Sequence, residues 1–243
     1  NSCFWDFVIS RFWALMKPNG KEVTAMAYTV GFLSQKGGVG KSTLARTLGR
    51  EIAVNEASVK IADVDIQQGT SFEWMQRRAQ AGLEPDVPVQ SFAKVQAALA
   101  ETDRYDVYIV DGAPHAGEQT KLIAKAADLI VLPVGVTFDD LNPSIRLAHE
   151  LVGKSITSRA GVLFVLMRVP DSQAEVENAR TYVSDAGYQV AQGSIPYRTS
   201  YGQAMDQGRA LTEVAHPNLK ARADEAMQSI IDCLSNMASK EAA

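Results

Sequence analysis

Short apolar runs rich in β-branched and aromatic residues recur along the chain at YTVGFL, VKIAD, VPVQSF, YDVYIVD, DLIVLPV and GVLFVLM. Helical patterns separate them, over residues 42–55, 71–81, 93–101, 118–126, 143–153 and 173–187. Near-continuous apolar strands bury both faces, and a helix between successive strands is the connection that parallel pairing needs. The alternation therefore predicts an α/β fold with a mostly parallel central sheet covered by helices on both faces. In such sheets ligands sit beyond the carboxyl ends of the strands.

The chain has 243 residues and 46% hydrophobic content, enough for a full core within one domain. A net charge of -4 argues against coating nucleic acid through bulk charge, so any DNA contact has to be a local basic face. Cys3 and Cys233 are the two cysteines and form neither a disulfide framework nor a paired metal site, which fits a reducing, cytoplasmic compartment. The apolar run Phe4 to Met16 is too short to span a bilayer and lacks a basic leader. Met26 reads as a natural start, so residues 1–25 are expected to be an N-terminal extension or translated upstream sequence, and residues 26–243 one domain ending in a C-terminal helix. An interfacial membrane helix is the competing reading of the first segment.

The stretch SQKGGVGKST stands between the first strand and the first helix. Gly37, Gly38 and Gly40 permit a tight loop, Val39 included, whose amides can approach phosphate oxygens, and the following helix adds its positive N-terminal dipole. Lys41 would contact the β- and γ-phosphates, the Ser42 hydroxyl would ligate Mg²⁺, and Thr43 offers a second hydroxyl. The unusual residue is Lys36, a second lysine ahead of the glycines.

KGGVGKST resembles the deviant Walker A motif of the ParA/MinD family of ATPases, a P-loop NTPase fold. In that family the early lysine reaches across a nucleotide-sandwich homodimer to the partner's phosphates, and Lys36 holds this position. The resemblance covers nearly all of residues 26–213 and implies ATP and Mg²⁺ as cofactors. IADVDIQQGTSFEW resembles the family's aspartate stretch, which implies that Asp65 orients the attacking water and Asp63 helps organise the metal site. Ile66 stands where the family has proline, and Gln68 looks inserted. YDVYIVDGAPHAG has the form of a Walker B strand whose Asp111 holds Mg²⁺ through water, followed by a switch segment with Gly112, Pro114 and Gly117, in which His115 reads as a loop residue. Met167 replaces the asparagine that usually touches adenine, whereas Ile195 and Pro196 match the segment near the base.

The superfamily's iron-sulfur members need cluster cysteines and its arsenite pumps a second P-loop, and both features are missing from the sequence. The acid-biased tail ADEAMQSIIDCLSNMASKEAA argues against a lipid-binding helix, and its Met227, Ile230, Ile231 and Leu234 repeat at helical spacing, as a face packed on the domain would. The resemblance then implies a partition ATPase: an ATP dimer that binds DNA without sequence preference, associates with the nucleoid, and is released when a ParB-like partner stimulates hydrolysis. Arg198, Arg209, Lys220 and Arg222 are the expected DNA cations. Alternative readings are a positioning ATPase for a protein cargo or conjugative-transfer machinery, and a MinD-like regulator held at a membrane by the N-terminal segment.

Overall fold

The computed structural model describes residues 27–114 and 117–241. Strand β1 (Tyr28–Phe32) is followed by α1 (Lys41–Val54), β2 (Val59–Asp63), α2 (Thr70–Gln80), β3 (Val89–Ser91), α3 (Val95–Leu99), β4 (Val107–Asp111) and α4 (Glu118–Ala126). The second half adds β5 (Leu129–Val134), α5 (Phe138–Gly153), β6 (Val162–Val169), α6 (Gln173–Asp185), β7 (Gln189–Val190), β8 (Ile195–Pro196), α7 (Thr199–Asp206) and α8 (Pro217–Glu241). The sheet has eight strands in the order β3-β2-β4-β1-β5-β6-β7, with β8 against β6, and each of these pairings is parallel. The α/β expectation holds, with two short strands, β7 and β8, that the apolar runs did not announce.

Side chains alternate across the sheet with period two. Tyr28, Val30 and Phe32 of β1, Leu129 and Val131 of β5, and Leu163, Val165 and Met167 of β6 face one core. Val110, Ile130, Leu132, Phe164 and Leu166 face the other. On the first face α1 inserts Leu44, Leu48 and Ile52, and α8 inserts Met227, Ile230, Ile231 and Leu234, all at most 2% exposed. Each such side chain contributes about 1.5–3 kcal/mol through burial. The apolar stripe of the C-terminal helix thus packs on the core. Among the described residues no helix is long and apolar enough to cross a membrane.

Two boundaries differ from the sequence reading. The helix expected to begin at Pro143 begins at Phe138, after Thr137 in extended backbone, with Asp139 and Asp140 in its first turn and Pro143 inside. Acidic side chains at a helix N-terminus interact favourably with its dipole and support the earlier start, while Pro143 removes one backbone hydrogen bond inside the helix. The helix expected over residues 93–101 shortens to α3 and a 3-10 turn, Thr102–Arg104, where Glu101 pairs with Lys60 (Nζ–Oε2 2.5 Å).

One buried clamp positions the far wall of the site. Arg78 of α2, 1% exposed, donates to Glu213 Oε2 (2.7 Å) and to the carbonyls of Gly208, Pro85 and Glu84. Four acceptors around one guanidinium fix the segment 208–213 against α2 and compensate its desolvation.

Candidate functional site

The first half of the site is a glycine loop at the carboxyl end of β1. Gly37, Gly38, Gly40, Lys41, Ser42 and Thr43 line a cavity of about 400 Å³, and Val39 is not on its wall. Gly40 caps α1 at φ 108°, a left-handed conformation that disfavours a side chain, and a Cβ there would also meet Met167 Cε at 2.6 Å and displace the end of that flexible side chain. Because Gly37, Gly38 and Gly40 carry no side chains, the loop amides and the α1 N-terminus can serve as an anion cradle on the cavity wall. Lys41 is 7% exposed; burial lowers its pKa, opposed by attraction to Asp111 and Asp65. The opposite wall is largely apolar, with Ile195 and Pro196 of β8, Tyr201 and Met205 of α7, and Leu211. Both predicted base-side residues, Ile195 and Pro196, therefore sit on the same cavity as the loop.

Beneath the loop, parallel registry sets Asp63 of β2 beside Asp111 of β4. Asp63 Oδ1 accepts from the Asp65 amide and Oδ2 from the Ser71 amide, each at 3.1 Å. Burial raises its pKa and these amides oppose the rise. Both oxygens of Asp63 thus hold the 65–71 turn beside Asp111. Asp111 is fully buried, and burial pushes its pKa up to about 6, with the Ser71 hydroxyl opposing and the like charge of Asp63 adding to the rise. Its Oδ2 accepts from Ser71 Oγ at 2.7 Å. Its Oδ1 is the one buried side-chain oxygen without a partner among the described residues.

That orphaned oxygen, on a carboxylate beside the Ser42 hydroxyl, fits a cation site. Mg²⁺ takes few protein ligands and completes its shell with water and phosphate, so a cluster of three or more acidic or histidine ligands is not required, and the described residues contain none. Ser42 and Asp111 would hold it.

Arg46 and Ser71 escaped the sequence reading. Arg46, 6% exposed, donates Nε to Ser71 Oγ at 3.0 Å, and burial lowers its pKa against the pull of Asp111 and Asp63. Ser71 thus joins one cation and both carboxylates. Arg46→Met, which removes the charge while keeping the volume, is expected to destabilise the nucleotide-free chain by roughly 2–3 kcal/mol, because two buried carboxylates lose their compensating cation. An unchanged midpoint in urea would show the guanidinium to be dispensable. Arg168 lies on the cavity wall beside the loop.

Asp65 also lines the cavity, and among the described residues its carboxylate makes neither a hydrogen bond nor an ion pair, although it attracts Lys41 through space. Its carbonyl accepts from the amides of Gln68 (3.1 Å) and Gly69 (2.8 Å), which closes the turn that Ile66 and Gln68 occupy. Lys36, by contrast, is not on the wall of its own cavity: its Nζ lies 2.7 Å from Asp140 Oδ1 at the start of α5, with the side chain 42% exposed. In the switch segment Pro114 lines the cavity, while His115 lies outside the described residues.

The four expected DNA cations do not form one free patch. Arg198 pairs with Asp171 and Lys220 with Asp224, the latter at 2.9 Å. Arg222 is half-buried and donates to Ser194 O (3.1 Å) and Oγ (2.7 Å), which commits it to a structural loop. Arg209 is exposed beside Gly208, on the segment clamped by Arg78.

Comparison with known proteins agrees with this geometry. Residues 30–211 match the model of the CobQ/CobB/MinD/ParA nucleotide binding domain. A protein of Gloeobacter kilaueensis named maintenance of carboxysome distribution protein A is 31% identical over 199 residues, 80% of this chain and 89% of that protein. The septum site-determining protein MinD of Pyrococcus horikoshii, solved with Mg-ADP, superposes with a TM-score of 0.68 at 15% identity, over 88% of this chain and 99% of its own. The ATP complex of a Cyanothece McdA variant gives 0.62 at 18% identity, over 84% and 96%. The latter two likenesses speak for the fold. The family match spans most of the chain, and the protein therefore belongs to the CobQ/CobB/MinD/ParA family of nucleotide-binding domains.

Proposed function

We propose that this chain is a Mg²⁺-dependent ATPase that positions a cargo by cycling between an ATP-bound homodimer, bound to DNA without sequence preference, and a free monomer. The observation that carries the reading is the division between the two lysines: Lys41 lies at the floor of the cavity, whereas Lys36 stands off its own cavity on a half-exposed ion pair. A cation held outside its own site is available to a second copy's nucleotide.

In this reading Lys41 and the loop amides hold the phosphates, and Ser42 and Asp111 hold the metal, which when bound supplies charge neutralisation on the phosphate oxygens. Asp63 shapes the turn that carries Asp65. Asp65 accepts a hydrogen bond from the attacking water and orients it. Lys36 of one copy neutralises charge on the other copy's nucleotide, so hydrolysis weakens the dimer. Exposed ion pairs contribute little, so DNA phosphates can replace Asp171 on Arg198 and Asp224 on Lys220. Arg209 would add a third contact, and a ParB-like partner would trigger release from the nucleoid. The carboxysome-distribution name of the 31% identical relative favours a second reading of the cargo, a protein assembly instead of a plasmid or chromosome.

Binding to a non-specific duplex, measured with ATP, with ADP and without nucleotide across a salt series, tests the DNA step. ATP-dependent binding whose log affinity falls against log salt by about 0.9 per phosphate contact is expected. A preparation that dimerises with ATP and ignores DNA would leave the protein cargo as the reading.

A further inference from the structure

Arg168 occupies a backbone conformation that its side chain disfavours. It follows Met167 near the end of β6, where the pairing with β8 shifts register between Met167 and Val169, and its φ is 55°. Bulky residues seldom adopt the left-handed region, and a retained conformation of this kind concentrates at functional sites. The shift also decides where the side chain goes. Met167 turns inward and packs on Gly40, while Arg168 is exposed with Nη2 3.9 Å from where a Cβ on Gly38 would stand. Both residues line the cavity, and among the described residues the guanidinium has neither a hydrogen-bond nor an ion-pair partner.

The cavity's other charged wall residues set what this cation can meet. Lys41 and Arg46 are buried cations of the same cavity, Arg198 is paired with Asp171, and Asp65 and Asp206 are the carboxylates on the wall. An unpaired guanidinium beside uncovered loop amides presents hydrogen-bond donors from two directions, and the complement of such a set is a multiply charged oxyanion. We propose that Arg168 is a second cation contributed by the same subunit to the polyphosphate of the bound nucleotide, acting beside the glycine loop in addition to Lys41. The inference rests on the nucleotide site of the proposed function and extends it to a residue outside the family's glycine and aspartate motifs. It also supplies a reason for the left-handed backbone: only the bulge turns residue 168 out of the strand and toward Gly38.

The test uses the full chain and calorimetric binding of ATP, ADP and adenosine to the parent, Arg168→Gln, Arg168→Lys and Arg168→Gly. ATP affinity is expected to fall about tenfold or more in Arg168→Gln and Arg168→Gly, and less in Arg168→Lys, which keeps the charge but not the fork. Adenosine binding is expected to stay unchanged. Arg168→Gly guards against misfolding, because glycine accepts φ 55° freely and should melt no lower than the parent. ATP affinity within about twofold of the parent in both charge-removing variants would overturn the assignment. An equal loss for adenosine would also overturn it, by moving the guanidinium to the base. A parent chain that itself bound no ATP would instead remove the nucleotide site, and this inference with it.

Discussion

Lys36→Ala is expected to bind ATP within about threefold of the parent and to remain monomeric in its presence, whereas Lys41→Ala is expected to lose nucleotide binding by roughly 30- to 1000-fold. The two lysines are close in sequence, yet their surroundings differ. Lys36 holds a half-exposed ion pair with Asp140, of a kind that contributes about 0–1 kcal/mol, so its removal leaves fold and cavity intact. Lys41 is a buried cation on the cavity floor, and alanine there leaves phosphate charge unneutralised where water cannot replace the ammonium. Calorimetry for binding and light scattering for mass separate the two effects. Normal ATP-dependent dimerisation by Lys36→Ala would end the account of that lysine as a contact across the dimer.

Asp65→Ala should slow turnover by about 10²- to 10⁴-fold while ATP-dependent association persists. The structure makes this substitution clean. The turn around Asp65 is held by its carbonyl and amide, through Gln68, Gly69 and Asp63, and none of these bonds uses its carboxylate. Alanine therefore removes the group facing the cavity and preserves the loop. Single-turnover hydrolysis, read beside the mass of the ATP complex, distinguishes a trapped dimer from a failed one. Turnover at the parent rate would release Asp65 from the water-orienting role.

The site was partly legible for a physical reason. A glycine loop between a buried strand and an amphipathic helix acts through its own backbone, so Gly37 to Thr43 carry their chemistry in consecutive residues. Asp111 could be read from the apolar run that ends in it. Residues that act through a partner distant in sequence were not legible. Arg46 looks like a polar position on a helix, and Ser71 like a first-turn serine. Their meaning comes from the Nε–Oγ and Oγ–Oδ2 contacts that bring α1, α2 and β4 together. The two backbone amides that Asp63 holds, from Asp65 and Ser71, likewise appear only in the folded turn.

The basic residues illustrate the same limit. Charge can be counted along a chain, but Arg222 reaches Ser194 and Lys220 reaches Asp224 only after folding, so their count overstates the free positive surface. The start of α5 was misplaced because Pro143 is a local signal, whereas Asp140 is tied to Thr137 (3.0 Å) and Lys36 (2.7 Å) by contacts that only one of those spacings reveals. By itself the sequence determined the parallel sheet, the helices on its faces and the glycine loop, because side-chain period and glycine freedom are local properties. Tertiary structure alone decided the pairing of Asp63 with Asp111, the station of Lys36 away from its own cavity and the turn of Arg168 toward Gly38. Those depend on strand register and on a bulge, which arise only when residues far apart in the chain compete for the same space and the same hydrogen bonds.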